Sequence, residues 1–92
     1  MAIEVRIPTI LRTYTDGAKS VEGSGATLAD LLGDLDSRHL GLRERLVDGS
    51  GLRRFVNVYL NDEDVRFLGG LETPVQDGDT VTVLPAVAGG RR

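Results

Sequence analysis

The amino-acid sequence predicts an α+β fold, a mixed sheet with one main helix laid across one face. Three observations carry that prediction. Apolar residues alternate near both ends of the chain, at Ile3, Val5 and Ile7 and again at Val81 and Val83, with the period of a half-buried strand. Between them Leu28, Leu31, Leu32 and Leu35 recur at i, i+3, i+4 and i+7, one apolar stripe of a helix. Residues 55–60, Phe-Val-Asn-Val-Tyr-Leu, are dense in the β-branched and aromatic side chains that pack well on a pleated surface.

In chain order, Glu4 and Arg6 point away from the apolar side of the first strand, and Pro8 ends it because proline cannot donate to a ladder. Thr15-Asp16-Gly17 is turn chemistry, and residues 18–21 are long enough for a return strand that completes a hairpin. Gly23-Ser24-Gly25 interrupts the chain. Thr27 then stands where a helix N-cap belongs, three residues before Asp30, with its hydroxyl able to take an orphan amide of the first turn. Asp30, Asp34 and Asp36 lie off the leucine stripe, Arg38 and His39 suit the negative pole of the helix, and Gly41 is expected to stop it. Residues 42–46 fit a single helical turn, and 48–51 read as loop.

The strand over 55–60 places Val56, Val58 and Leu60 in the core. Asn61-Asp62 makes a tight turn into a short fourth strand over 64–67. Gly69-Gly70 and Pro74 break the chain again, Asp77-Gly78-Asp79 turns it, and 80–84 form the last strand. The expected order is β-β-α-β-β-β. One helix packed across such a sheet covers its apolar face. The expected organisation is one domain over 1–86 followed by a flexible tail over 87–92.

Composition narrows the function. The 92 residues are 40% apolar and 27% charged, as in a folded domain rather than a disordered one. Cysteine is absent, which removes disulfides, cysteine-ligated metals and thiol nucleophiles together. The single histidine, His39, cannot build a multi-histidine metal site, and at a helix end it reads as a solvated side chain. A net charge of −3, with Arg53-Arg54 as the only short basic pair within the domain, does not fit a nucleic-acid binder. No apolar run approaches the roughly 20 residues that cross a bilayer, and the first ten residues lack a signal-peptide core. A cytoplasmic domain with no cofactor of its own is expected. Asp62-Glu63-Asp64 reads as a solvated turn, so no metal site is expected either.

The informative segment is the tail, Ala86-Val87-Ala88-Gly89-Gly90. Glycine has no Cβ, so a partner can close around such a segment and still reach a carbonyl carbon. By itself this composition also fits a frayed terminus. Phe55, Tyr59 and Phe67 are the candidate partner surface, because an aromatic patch on the open face of the sheet would be a docking site.

The order β-β-α-β-β-β ending in Gly-Gly resembles the β-grasp (ubiquitin-like) family of ubiquitin and the ThiS/MoaD sulfur carriers. The likeness is carried by residues 7–12 (IPTILR), 54–59 (RFVNVY), 61–67 (NDEDVRF) and 84–90 (LPAVAGG), and extends through the chain to Gly90. The resemblance implies that the Gly90 carboxylate is activated with ATP by an E1-like MoeB/ThiF-type adenylyltransferase and then converted to a thiocarboxylate. Gly89 and Ala88 would give that enzyme access to Gly90. It implies further that a PLP-dependent, cysteine-synthase-like acceptor enzyme takes the sulfur for cysteine biosynthesis. ATP and PLP would be used by these partner enzymes, and the carrier would supply only its tail.

The chain departs from that pattern at one place: Arg91 and Arg92 follow Gly90. A peptide bond at Gly90 leaves no carboxylate to adenylate, so the expectation is proteolytic removal of both arginines by a JAMM-type metalloprotease. Trimming lowers the basic residues from 11 to 9 against 14 acidic ones, taking the net charge from −3 to −5. Two other readings stay open. The chain is then a ubiquitin-like modifier joined through Gly90 to other proteins, or a non-covalent binding subunit that uses the sheet face. Thiamin, molybdopterin or thiolated metabolites are alternative destinations for the sulfur.

Overall fold

A computed structural model of the chain describes residues 2–49, 51–54 and 56–85. A five-stranded sheet has the order β2-β1-β7-β5-β6, built from β1 (Ile3–Arg6), β2 (Ser20–Gly23), β5 (Val56–Leu60), β6 (Glu63–Asp64) and β7 (Thr80–Pro85). β1 and β7 run parallel at its centre, with Val5 opposite Val81, and every other pair is antiparallel. The two helices, α1 (Leu28–Asp36) and α2 (Leu42–Leu46), and a small hairpin of β3 (Val47–Asp48) and β4 (Gly51–Leu52) lie between β2 and β5 in the chain.

α1 forms where the leucine stripe predicts it. The Thr27 hydroxyl accepts a hydrogen bond from the Asp30 amide at 3.2 Å, and Leu28, Leu31, Leu32 and Leu35 are all buried. They pack with Ile3, Val5, Val58, Val81 and Val83 into one core, so a single face of the sheet is closed. Two glycines let the helix come close. A Cβ on Gly23 would meet Leu31 Cδ1 at 2.8 Å, and one on Gly25 would meet the Leu31 backbone nitrogen at 2.6 Å.

Four sequence expectations are corrected. Pro8 ends the first strand and β2 returns antiparallel to β1, as expected, but the connection holds a 3-10 helix over Thr9–Thr15 and the return strand starts at Ser20 rather than at residue 18. Leu11 and Thr15 are buried there four residues apart, a helical spacing. Gly41 does not stop α1. The helix ends at Asp36, and Gly41, at φ 92°, instead opens α2. The Asp36 carboxylate accepts the amides of Gly41 and Arg43, at 3.1 and 3.2 Å, which ties α2 to the end of α1. Arg38 therefore lies past the helix, where it binds the Asp34 carboxylate at 2.8 Å and the Glu22 carbonyl at 2.8 Å. His39 sits half-buried in the same turn.

The turn at Asn61-Asp62 is as expected, with φ of 49° and 78°. The fourth strand, however, stops after Glu63–Asp64, and Val65–Phe67 form a second 3-10 helix. The Asp64 carboxylate caps it by accepting the Arg66 amide at 2.9 Å, while Val65 turns into the core. The expected boundary at residue 86 and the tail over 87–92 lie outside the described residues. Among the described residues, no helix is long and apolar enough to cross a membrane.

Candidate functional site

Alternation along the strands sorts the sheet into two faces. Val56 and Val58 of β5, and Val81 and Val83 of β7, face the helix; Asn57 and Tyr59, and Thr82 and Leu84, face the other way. On that open face a row runs across all five strands through Ser20, Arg6, Thr82, Tyr59 and Asp64, set by the pairs Arg6–Ser20, Arg6–Thr82, Tyr59–Thr82 and Tyr59–Asp64.

The described chain ends at Pro85, opposite Val56, and this end of β7 lies between two grooves. The larger, about 580 Å³, is lined by Ile10, Tyr14, Arg45, Arg53, Leu84 and Pro85. The other, about 390 Å³, includes Arg6, Arg12, Lys19, Thr82 and Leu84. Several contacts hold the larger groove in shape. Arg45 Nε donates to the Tyr14 hydroxyl, Tyr14 packs against Gly41, where a Cβ would approach its ring to 3.2 Å, and Arg53 Nε donates to the Glu44 carbonyl at 2.8 Å. These contacts lock the first 3-10 helix, α2 and the entry to β5 together.

The sequence-predicted residues separate into three sets. Gly90, Gly89, Ala88, Arg91 and Arg92 lie outside the described residues, as does Phe55. Tyr59 is half-buried in the middle of the open face. Phe67 is 87% exposed at the edge of the sheet, next to the exposed Leu68. Tyr59 and Phe67 thus sit on different elements, one on the face and one on the rim. Among the described residues no cluster of His, Asp or Glu is arranged to hold a metal ion.

Sequence reasoning missed Arg66. Its guanidinium donates to Asn57 Oδ1 at 3.0 Å and to the carbonyls of Arg53 and Val56 at 2.8 and 2.7 Å. It therefore pairs edge groups of the 53–57 segment that β6 is too short to reach. No local pattern announces this, because the acceptors lie 9 to 13 residues away. The groove residues were missed as well. Leu84 had a signal, since it shares the outward parity of Thr82.

The fold and the chain end define a β-grasp, ubiquitin-like domain: a mixed sheet with one helix across it and a glycine pair beyond the last strand. The chain belongs to the ThiS family, whose model matches residues 5–90. It is 58% identical to the sulfur carrier protein CysO of Mycobacterium tuberculosis over 98% of this chain and 100% of that one. It is 37% identical to small archaeal modifier protein 3 of Haloferax volcanii, again over 98% of this chain and all of the relative. A chain of the Amycolatopsis orientalis BexX/CysO complex superposes with a TM-score of 0.92 at 63% identity, over 97% of this chain and 100% of that chain.

Proposed function

We propose that this chain is a sulfur carrier, a protein co-substrate rather than an enzyme. One observation carries the reading: the likeness to CysO spans 98% of the chain, and the family match ends on Gly90 itself. In this reading a JAMM-type metalloprotease removes Arg91 and Arg92 and exposes the Gly90 carboxylate. An E1-like MoeB/ThiF-type adenylyltransferase joins that carboxylate to the α-phosphate of ATP, and pyrophosphate leaves. A sulfide donor then attacks the acyl carbon and displaces AMP, leaving a thiocarboxylate. Adenylation is needed because a free carboxylate is a poor electrophile, whereas AMP is a good leaving group.

The thiocarboxylate is a strong nucleophile at neutral pH and passes its sulfur to a PLP-dependent acceptor enzyme of cysteine biosynthesis. The fold's part is to present the tail beyond Pro85 while the rest of the domain is gripped. That a chain of such similar structure occurs in a BexX/CysO complex supports protein partners for this chain. A second reading is favoured by the likeness to small archaeal modifier protein 3, namely conjugation through Gly90 to target proteins. Both readings share the activation step, and differ in whether Gly90 ends as a thioacid or as an isopeptide.

Intact mass of the protein from its own host is the test. Loss of both arginines together with replacement of one oxygen by sulfur is the expected result. A chain that keeps Arg91 and Arg92 under every growth condition overturns both readings.

A further inference from the structure

Charge is distributed along the strands of this domain rather than evenly over it. At the pole where β7 begins and β5 ends stand Asp62, Glu63, Asp77 and Asp79. The Asp79 carboxylate accepts from the Asn61 side chain at 3.0 Å and from the Gln76 amide at 2.8 Å, which binds the two turns of that pole together. At the other pole, where β7 ends and β5 begins, Arg6, Arg12, Lys19, Arg45 and Arg53 line the two grooves that flank Leu84. Six residues of β7 separate the poles, about 17 Å at strand rise.

Among the described residues, few carboxylates stand against the positive charge at this pole. The guanidinium groups of Arg12, Arg45 and Arg53 donate to neutral oxygens, those of the Ile7 carbonyl, the Tyr14 hydroxyl and the Glu44 carbonyl. Arg6 meets Glu4 at 3.8 Å, with most of its side chain in water. Among the described residues, Glu4 is the one carboxylate that lines either groove. Within the same pole Ile10 is 67% exposed and Leu84 45% exposed, so the surface offers apolar contact inside a basic rim. In a chain of net charge −3 this is a local inversion of sign, and it surrounds Pro85, where the described chain ends.

We infer that this pole is a docking surface for a protein whose tail-accepting slot is rimmed by Asp and Glu side chains. The inference rests on the carrier reading, since the partner is the enzyme that receives Gly90. Opposite charges around a slot steer the incoming domain so that its tail arrives first, and they act mainly on the association rate. The acidic pole adds to the effect, because it is repelled by the same rim and disfavours the reversed approach. Leu84 and Ile10 supply the apolar contact that holds the complex once formed.

The experiment is stopped-flow association of the protein ending at Gly90 with the E1-like adenylyltransferase of the same host, at low and high salt. Lys19→Glu, an exposed change at the pole, is compared with Arg43→Glu, an identical charge change on α2 outside both grooves. The expected result is that Lys19→Glu slows association about tenfold at low salt, that Arg43→Glu stays within about twofold, and that the gap closes at high salt. Arg6→Glu is expected to follow Lys19→Glu. Equal slowing by Lys19→Glu and Arg43→Glu, with adenylation intact, overturns the docking surface and leaves the carrier reading standing. A wild-type protein that neither associates nor becomes adenylated overturns the carrier reading and this inference with it. Binding of ATP alone to the carrier, lost in Lys19→Glu, would mean that the pole takes a nucleotide and not an acidic protein surface, and also overturns it.

Discussion

The two faces of the sheet differ although the same strands build both. On the helix side Val5, Val58, Val81 and Val83 are sealed against the leucines of α1, and each contributes to stability. On the open side Arg6, Asn57, Tyr59, Thr82 and Leu84 keep contact with water. Buried and water-facing residues therefore alternate within each strand and share the same stretch of chain.

The largest effect should come from breaking the closed face. Leu31→Ala removes a fully buried side chain at the centre of the stripe and should cost about 2–5 kcal/mol, read by chemical denaturation. Gly25→Ala attacks the same face from outside. Its Cβ would collide with the backbone of α1, where nothing flexible can yield, and a loss of about 1–3 kcal/mol is expected from the same titration. Arg66→Lys keeps the charge but loses the fork that holds three acceptors, and should lower stability by about 1.5 kcal/mol, with faster amide exchange in residues 53–57.

Thr27→Ala deletes the helix cap and should cost about 1 kcal/mol, visible as a small drop in Tm. The smallest change sharpens the contrast. Leu84→Ser, on the open face, should leave stability within about 0.5 kcal/mol while weakening association with the activating enzyme. A large loss of stability in Leu84→Ser would show that the two faces are not separable.

Much of the fold was legible because its signals are local. The stripe from Leu28 to Leu35, the hydroxyl at Thr27 and the alternation at Val81 and Val83 each name an element and its buried side from neighbours within eight residues. The misreadings share one cause. Residues 64–67 and Gly41 hold mixed local patterns, and each was decided by a short cap: Asp64 capping Arg66, Asp36 gathering the start of α2. Residues 9–14 carried no local signal, and Leu11 entering the core decided them. The candidate site divides in the same way. Gly89 and Gly90 were legible as a pair because glycine's lack of a Cβ is intrinsic. The basic pole was not, because its five residues come from β1, the first 3-10 helix, the bend before β2, α2 and the approach to β5.

The period of each segment, the cap of α1, the places where the chain must turn and the glycine pair that ends the ThiS-like region follow from single residues and their near neighbours. The pairing of β7 between β1 and β5, the bonds of Arg66 at the sheet edge and the meeting of dispersed arginines around Pro85 do not. Those outcomes require segments far apart in the chain to share one core, and burial of the leucine face is the free energy that brings them together.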